Sequence, residues 1–284
     1  MNTVTAKPGS ATVAPSVSAL ARQARRRRRA AILLMQLALA IGALVFWEWA
    51  AGPRNTPGIL IDEFYISRPT LVWDALRRWT TEGVLWISIY YTFETTVLGF
   101  IIGTAMGLVV GFILGVNPFL ASIFQPFINA LYSIPRLALV PLFMLWFGIG
   151  IGSKLALVVS VVFFLVFFAT FTGVKDVDQE LLNKLRLMRA NWWSVHMKVT
   201  LPAATTFIIS GLSISLPYAL VAQVTAEMLS SNRGMGYLLI RSSSQFYTPG
   251  VFAAITVLMV MGVALTWSIQ LLESWLLRWK PKAH

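Results

Sequence analysis

Hydrophobic residues in this chain fall into long runs separated by short polar intervals, a pattern typical of membrane-spanning helices. The first run covers residues 30–51 and has about the 20 residues that a bilayer core requires. The later runs of similar or greater length lie at residues 86–115, 119–147, 153–173, 203–229 and 250–272. The pattern therefore predicts an all-α, polytopic membrane protein with six transmembrane helices.

The run at residues 119–147 is too long for one straight span and is interrupted by prolines. Pro126, Pro135 and Pro141 each lack the backbone N–H that a helix interior uses, so each is expected to kink or break a helix. Backbone groups freed in this way cannot face lipid, and we therefore expect the broken span to pack inside protein. Pro135 and Pro141, with Arg136 between them, are candidates for a pathway or gate.

Glycine recurs at every fourth position along the second predicted span. A stripe of small residues lets the backbone of another helix approach closely. Five glycines in register make chance enrichment a poor explanation. The predicted helix-packing positions are Gly99, Gly103, Gly107 and Gly111, with Gly115 continuing the series.

Composition agrees with a membrane location, and charge predicts the orientation. Of the 284 residues, 57% are apolar and 12% are charged, whereas a soluble domain is about 45–50% apolar and about 25% charged. If the amino terminus is inside, the inner segments (1–29, 174–200 and 276–284) hold fifteen Lys and Arg residues, and the outer segments hold six. This excess predicts that both termini are cytoplasmic.

The polar intervals near the ends of the chain have separate interpretations. Residues 1–29, which end in five arginines, are predicted to form a disordered, basic cytoplasmic tail that anchors the first span. A nucleic-acid-binding arm and a cleaved export signal fit these residues less well. Residues 52–85 are predicted to form an outer segment with an amphipathic helix that begins at Pro69, and residues 276–284 a second cytoplasmic tail.

The charged interval between the fourth and fifth spans has the spacing of an amphipathic helix. Its apolar residues recur at steps of three and four, at Leu181, Leu185, Met188, Trp192 and Val195. Either Asp176 or Asp178 can cap the helix start. Two interpretations are open: a loop that rests on lipid headgroups, and a docking surface for a soluble partner.

Residue types that carry catalysis or bind metals are sparse. The chain has no cysteine, its histidines are His196 and His284, and no phosphate-binding glycine loop occurs. We therefore predict no catalytic residue, no metal and no cofactor on this chain. Glu227 lies at the outer end of the fifth span, where structural hydrogen bonding is favoured over a role as a gate or solute contact.

Several short stretches carry a family likeness over about residues 85–275. They are Ser-Ile-Pro-Arg-Leu-Ala-Leu-Val-Pro-Leu-Phe-Met-Leu-Trp-Phe-Gly-Ile-Gly (133–150), Ser153-Lys154, Val-Thr-Leu-Pro-Ala-Ala (199–204), and Ala-Glu-Met-Leu followed by Gly-Met-Gly-Tyr-Leu (226–238). In order and spacing the chain resembles the transmembrane subunits of bacterial ATP-binding-cassette importers of the type I fold, and within them the nitrate, taurine and alkanesulfonate permeases.

The resemblance implies a permease subunit in the bacterial inner membrane that forms the translocation pathway for a small organic or anionic solute. The implied partners are a cytoplasmic ATPase dimer, which would bind ATP and Mg, a second permease copy or a paralogue, a periplasmic or lipid-anchored solute-binding protein, and membrane lipid, with no nucleic acid. The residues that would couple to the ATPase are Asn183, Lys184, Leu185, Arg186, Met188, Arg189, Ala190, Trp192, Trp193, Leu201 and Pro202.

The cytoplasmic segment departs from the pattern of the family it resembles. That pattern has Glu-Ala-Ala, and a glycine six residues after the Glu. These positions fall on Asn183-Lys184-Leu185 and Arg189 in this sequence. Because arginine in a left-handed turn costs about 1 kcal/mol, we expect the turn to shift to Asn191 or the helix to run on.

A self-sufficient channel or secondary carrier is the alternative from another class of protein. It would need polar groups that converge at mid-membrane within one chain, and the sparse buried charge argues against it. A third interpretation is a membrane scaffold whose basic segment binds anionic lipid.

Overall fold

The structure, a computed structural model, describes residues 17–53 and 60–276. Residues 1–16 of the predicted amino-terminal tail, residues 54–59, and residues 277–284 of the predicted carboxy-terminal tail lie outside the described residues. The chain divides into two compact units, one up to Glu63 and one from Phe64 onward.

The described residues are mostly helical. The helices are α1 (Val17–Ala50), α2 (Glu63–Ile66), α3 (Pro69–Thr81), α4 (Val84–Val116), α5 (Pro118–Tyr132), α6 (Val140–Phe147), α7 (Ile151–Lys175), α8 (Gln179–Leu187), α9 (Trp192–Val195), α10 (Leu201–Ser230), α11 (Met235–Ser244) and α12 (Thr248–Leu276). A 3-10 turn, Arg136–Leu139, precedes α6, and a π-helical turn, His196–Thr200, precedes α10. Two short strands, β1 (Ala51–Gly52) and β2 (Ile61–Asp62), pair in parallel. The all-α prediction is confirmed apart from this bridge.

Five helices within the described residues are long and apolar enough to cross a membrane. They are Ala30–Ala50, Val84–Val116, Ile151–Lys175, Trp192–Ser230 and Thr248–Ser274. The pair Pro118–Tyr132 and Arg136–Phe147 passes the same test together and is bent by 83°. With the bent pair counted as one span, the part of the chain that the structure describes holds six candidate spans by length and composition, of which the third is broken, as predicted.

The first helix begins earlier than the sequence pattern predicted. Residues 17–29, assigned above to the disordered tail, form the first turns of α1. The prediction of disorder is wrong for these residues because Ala, Leu, Arg and Gln favour helix. In addition, extending a helix that the first span has already nucleated adds one hydrogen bond per residue fixed.

The centre of the larger unit is the contact of α4 and α10 with α7. The glycine stripe lies on the face of α4 that meets α7. A Cβ atom at Gly107 would lie 2.8 Å from the carbonyl oxygen of Phe163 and 3.0 Å from the backbone nitrogen of Phe167. The two backbones are therefore as close as the absence of a side chain allows. The other members of the stripe that face α7 are Gly99, Gly103, Gly111 and Gly115.

The break in the third span lies at residues 133–135 and contains one of the three prolines. Pro126 lies inside α5, which continues past it to Tyr132. Pro141 occupies the first turn of α6, where a missing N–H leaves no helical hydrogen bond unmade. The expectation that each proline kinks or breaks a helix is therefore wrong for Pro141, and α5 ends at Tyr132, three residues before Pro135.

The segment between the fifth and sixth spans contains a helix rather than an open loop. Helix α11 lies within residues 230–249 and packs against α10 and α12. Met235 is fully buried and Leu238 is 3% exposed. Residues 230–249, between two predicted spans, are expected from the sequence to form an outer loop, and this expectation is wrong because these apolar residues recur at helical spacing and bury one face of α11.

Candidate functional site

The charged interval between α7 and α10 folds into two short helices, each with a side-chain cap. Helix α8 follows Asp178, whose carboxylate accepts a hydrogen bond from the N–H of Glu180 at 2.8 Å. Asp176 instead follows the last residue of α7. Helix α9 follows Asn191, whose side-chain oxygen accepts from the N–H of Trp193 at 3.3 Å. Each cap satisfies a backbone donor that has no partner within its helix.

The turn between α8 and α9 is centred on Arg189. Arg189 has a φ of 57°, and the N–H of Ala190 donates to the carbonyl of Leu185 at 3.1 Å, which is the long bond of a Schellman helix end. The expectation that the turn would shift to Asn191, or that the helix would run on, is therefore wrong. Asn191 is extended because it caps α9, and this leaves the left-handed position to Arg189.

Glycine in place of Arg189 is expected to stabilise the turn. The left-handed conformation costs a residue with a side chain roughly 1–2 kcal/mol, and glycine loses about 0.5–1 kcal/mol through backbone entropy. The net gain is therefore about 0.5–1 kcal/mol. Hydrogen exchange at the Ala190 amide should slow accordingly in the Arg189→Gly variant. Arg186→Gly, within α8, is the matched control, and it should speed exchange because glycine weakens a helix interior.

Four large apolar side chains are exposed around this turn. These residues, here named the coupling patch, are Leu187 (84% exposed), Met188 (78%), Trp193 (60%) and Trp192 (56%). Beneath the patch, Val177, Leu182 and Val195 form a buried cluster, and Leu185 packs against it. A patch of large apolar side chains exposed in a polar segment is typical of an interaction site.

The single continuous apolar face predicted for this interval is wrong. Leu181 is exposed and its neighbour Leu182 is buried. Leu185 is half-buried against the supporting cluster rather than free on the surface. The chain turns at Arg189, so helical spacing counted from α8 does not carry into α9. Leu187, the last residue of α8, was missed because it lies off the face counted from Leu181 and Leu185.

The remaining predicted coupling residues lie on α8, in the turn after it and in the first turn of α10. The exposed ones are Asn183, Lys184, Ala190 and Pro202. Lys184 lies 3.9 Å from Glu180, one turn earlier on α8, a surface ion pair of little energetic value. Arg186 lies within α8, and Leu201 is half-buried at the first position of α10.

A buried histidine connects the coupling patch to the spans. The ring of His196 is centred 4.4 Å from that of Trp192 and 6.4 Å from that of Phe112 on α4. Its Nδ1 lies 3.1 Å from the Thr200 hydroxyl oxygen. The N–H of Leu201 donates to the carbonyl of His196, five residues back, as in a π turn. The exposed Trp192 and the span residue Phe112 therefore lie against the same buried ring.

Arg136 braces the break in the third span. Its Nη1 donates to the carbonyls of Tyr132 at 2.9 Å and Ile134 at 3.1 Å, next to the end of α5, where carbonyls lack helical partners. Its guanidinium carbon lies 4.3 Å from the ring centre of Phe164 on α7. The predicted pathway residues exposed near it are Pro135 and Pro141.

Glu227 is fully buried and accepts hydrogen bonds from three helices. Its carboxylate accepts from the Thr92 hydroxyl of α4 at 2.8 Å, the Gln223 amide of α10 at 2.9 Å and the N–H of Gly236 in α11 at 2.8 Å. The Thr92 oxygen in turn accepts from the N–H of Met235 at 2.9 Å. The geometry favours the structural interpretation, because a negative group at a helix start satisfies its free N–H donors.

Comparison with known proteins gives the family. The family described as binding-protein-dependent transport system inner membrane component matches residues 103–278. A putative aliphatic sulfonates transport permease protein, SsuC of Bacillus subtilis (strain 168), is 36% identical over 198 residues, which cover 70% of this chain and 70% of that protein. The formylaminopyrimidine transport permease protein ThiX of Halalkalibacterium halodurans is 32% identical over 239 residues, which cover 84% of this chain and 93% of that protein.

Solved structures give the same fold. An inward-facing conformation of the MetNI methionine ABC transporter matches with a TM-score of 0.61 at 17% identity, over 68% of this chain and 96% of that chain. At this identity the likeness concerns the fold alone. The family match and the two relatives go further, because they rest on similarity of the sequence itself. The chain therefore belongs to the binding-protein-dependent inner-membrane transport components, as a permease subunit of an ATP-binding-cassette importer.

Proposed function

We propose that the coupling patch docks on a separate cytoplasmic ATPase dimer, which binds ATP and Mg, and that both termini of the permease lie in the cytoplasm. The observation that carries the proposal is the patch itself, which exposes Leu187, Met188, Trp192 and Trp193 above a buried cluster. Aromatic side chains supply much of the binding energy at protein interfaces. The excess of Lys and Arg on the same side supports the cytoplasmic location.

Movement of the ATPases would reach the spans through the patch. Trp192 touches His196, and His196 touches Phe112 of α4 and Thr200, the residue before α10. A contiguous chain of packed side chains of this kind can carry a coupling free energy between distant sites. Displacement of the patch would therefore shift α4 and α10 together.

Two permease copies, or one copy and a paralogue, would line the pathway along the broken third span. The bend exposes Ile134 (39%) and Leu137 (52%) on either side of Pro135 and Arg136. Backbone groups freed at a helix break are tolerated at membrane depth where they are buried in protein or line a water-filled cavity. Arg136 and Pro141 would shape the pathway wall, and Glu227 would support it from behind.

The solute would be a small organic molecule delivered by a periplasmic or lipid-anchored binding protein. The names of the two relatives specify aliphatic sulfonates and formylaminopyrimidine. These names support an alkanesulfonate or a nitrogen heterocycle as the solute class. The permease itself would bind no cofactor.

Co-purification tests the proposal. The tagged permease is extracted from inner membranes, and the bound proteins are identified by mass spectrometry. We expect a nucleotide-binding ATPase and a solute-binding protein, and uptake by the reconstituted complex should require ATP. Solute movement by the permease alone in liposomes would instead establish a self-sufficient channel or carrier and contradict the proposal.

An aspartate in the coupling patch is expected to uncouple transport. Leu187→Asp places a charge in the predicted apolar interface, and uptake should fall by at least about tenfold, since burying an unpaired charge costs several kcal/mol. Leu187 is chosen over Leu185, because Leu185 also supports the turn from below. The permease should remain in the membrane at its normal level, measured by immunoblot.

Leu187→Met is the matched control, since it keeps the apolar surface, and it should transport normally. Uptake and ATPase retention equal to those of the unmodified complex in Leu187→Asp would exclude the coupling patch as the docking surface.

A further inference from the structure

A polar recess of about 420 Å³ lies at the opposite end of the spans from the coupling patch. It opens between the end of α3, the start of α4 and the end of α11. Its polar lining residues are Arg78, Glu82, Arg241, Ser242, Gln245 and Tyr247. This cavity, here named the outer recess, is separate from the bend in the third span.

Two arginines dominate the charge of the outer recess. Arg78 lies in the last turn of α3 and Arg241 in the last turn of α11, where a cation also interacts favourably with the helix dipole. Glu82 is the one acid in the lining. Across residues 17–53 and 60–276, neither guanidinium forms an ion pair. The recess therefore presents two cations with hydrogen-bonding capacity to spare.

An exposed aromatic residue stands beside the recess in a strained conformation. Phe246 is 76% exposed and has a φ of 53°. A bulky residue at positive φ is uncommon, and strain of this kind concentrates at functional positions. The N–H of Phe246 donates to the carbonyl of Ser243 at 3.0 Å, and that of Tyr247 to the carbonyl of Ser242 at 2.9 Å. The turn therefore holds Phe246 outward.

The wall that carries Arg241 and Phe246 is anchored in the bundle. Helix α11 starts on the Glu227 carboxylate through the N–H of Gly236, and Met235 and Leu238 bury its inner face. A surface that is already ordered loses less entropy when a partner binds. The outer recess and Phe246 therefore form a surface that is ordered before a partner binds.

We propose that the outer recess receives an acidic side chain of the solute-binding protein, with Phe246 making the apolar contact beside it. The inference rests on the proposed function, which places this end of the spans outside. A carboxylate between Arg78 and Arg241 would form charge-assisted hydrogen bonds, and arginine and aromatic residues are frequent hot spots of protein interfaces. A protein surface matches the site better than a small solute, because Phe246 projects outside the cavity.

Charge reversal tests the inference. Arg78→Glu and Arg241→Glu are introduced separately into the reconstituted permease–ATPase complex, and the probe is the purified binding protein identified by co-purification. The concentration of binding protein that gives half-maximal ATPase stimulation should rise by at least about tenfold in each variant. Basal ATPase activity should not change. Arg77→Glu is the matched control, because Arg77 is exposed on the same helix and does not line the recess.

Each outcome has a distinct meaning. An unchanged half-maximal concentration in both recess variants would overturn the inference, and so would an equal shift in the Arg77 control. If Arg241→Glu fails to assemble, Arg241→Gln replaces it and should still raise that concentration. An increase that appears in liposomes with anionic phosphatidylglycerol and vanishes in neutral phosphatidylcholine would assign the recess to lipid headgroups instead. A native complex that the binding protein does not stimulate at all would contradict the proposed function itself.

Discussion

Glu227→Ala is expected to release α11 from the bundle and to abolish transport. The substitution removes the acceptor of three buried donors, on Thr92, Gln223 and Gly236. Each buried donor that loses its partner costs about 1–3 kcal/mol, so the loss is a large part of the stability of a typical domain, which is about 5–15 kcal/mol. The start of α11 would lose its anchor first, because the Gly236 N–H bonds to the carboxylate directly and the Met235 N–H bonds to the Thr92 hydroxyl that the carboxylate holds in place.

The absence of cysteine from the chain provides a direct measurement of this release. Leu238→Cys places a single thiol at a position that is 3% exposed on α11. A membrane-impermeant maleimide should label this thiol slowly in the parent background and rapidly when Glu227→Ala is added. Glu227→Gln, which keeps one oxygen acceptor and the volume, should give intermediate labelling. Full protection together with normal uptake in Glu227→Ala would show that the carboxylate does not hold α11.

Gly107→Ala is expected to separate α4 from α7 and to lower the stability of the whole bundle. The added Cβ would lie 2.8 Å from the carbonyl oxygen of Phe163 and 3.0 Å from the nitrogen of Phe167. Both are backbone atoms, so a rotamer change cannot relieve the contact and the helices must shift. Overpacking of this kind costs about 1–3 kcal/mol, and Gly107→Leu should prevent folding.

Thermal unfolding in detergent, followed by size-exclusion chromatography, measures the effect. Gly262→Ala on α12 is the matched control, because its added Cβ would meet Leu220 at 3.7 Å, an ordinary contact. It should be neutral or should raise the melting temperature slightly, since alanine favours helix over glycine. Equal melting temperatures for Gly107→Ala and Gly262→Ala would mean that the glycine stripe does not govern the α4–α7 contact.

Features that depend on residues close together in the sequence could be predicted from the sequence. The spans follow from run length, and the break at Pro135 follows from a proline with apolar sequence on both sides. The glycine period indicated a close helix contact, although it could not name α7 as the partner. The position of Glu227 at a helix end likewise indicated hydrogen bonding. Its partner Thr92, however, lies 135 residues earlier, and no local pattern connects the two.

The charged interval between α7 and α10 shows where two local conformational preferences compete. Asn191 tolerates the left-handed conformation better than Arg189, and on that rule alone the turn was predicted there. Asn191 is also a strong helix cap, and the structure uses it in that role for α9. The left-handed position then passes to Arg189. Whether Asn191 takes the left-handed position or caps α9 depends on the total free energy of the turn. Residue preferences taken one at a time do not give that total.

The π-helical turn at His196–Thr200 joins α9 to α10, and it can change the rotational position of α9 about the helix axis relative to α10. A π turn takes up one residue more than an α turn, and each residue of an α-helix corresponds to about 100° of rotation. Conversion of the π turn to an α turn would rotate Trp192 and Trp193 by about this angle about the axis of α10. If the ATPase docks on the coupling patch as proposed, tilting of the ATPase would therefore be converted at this turn into rotation of α10 about its axis.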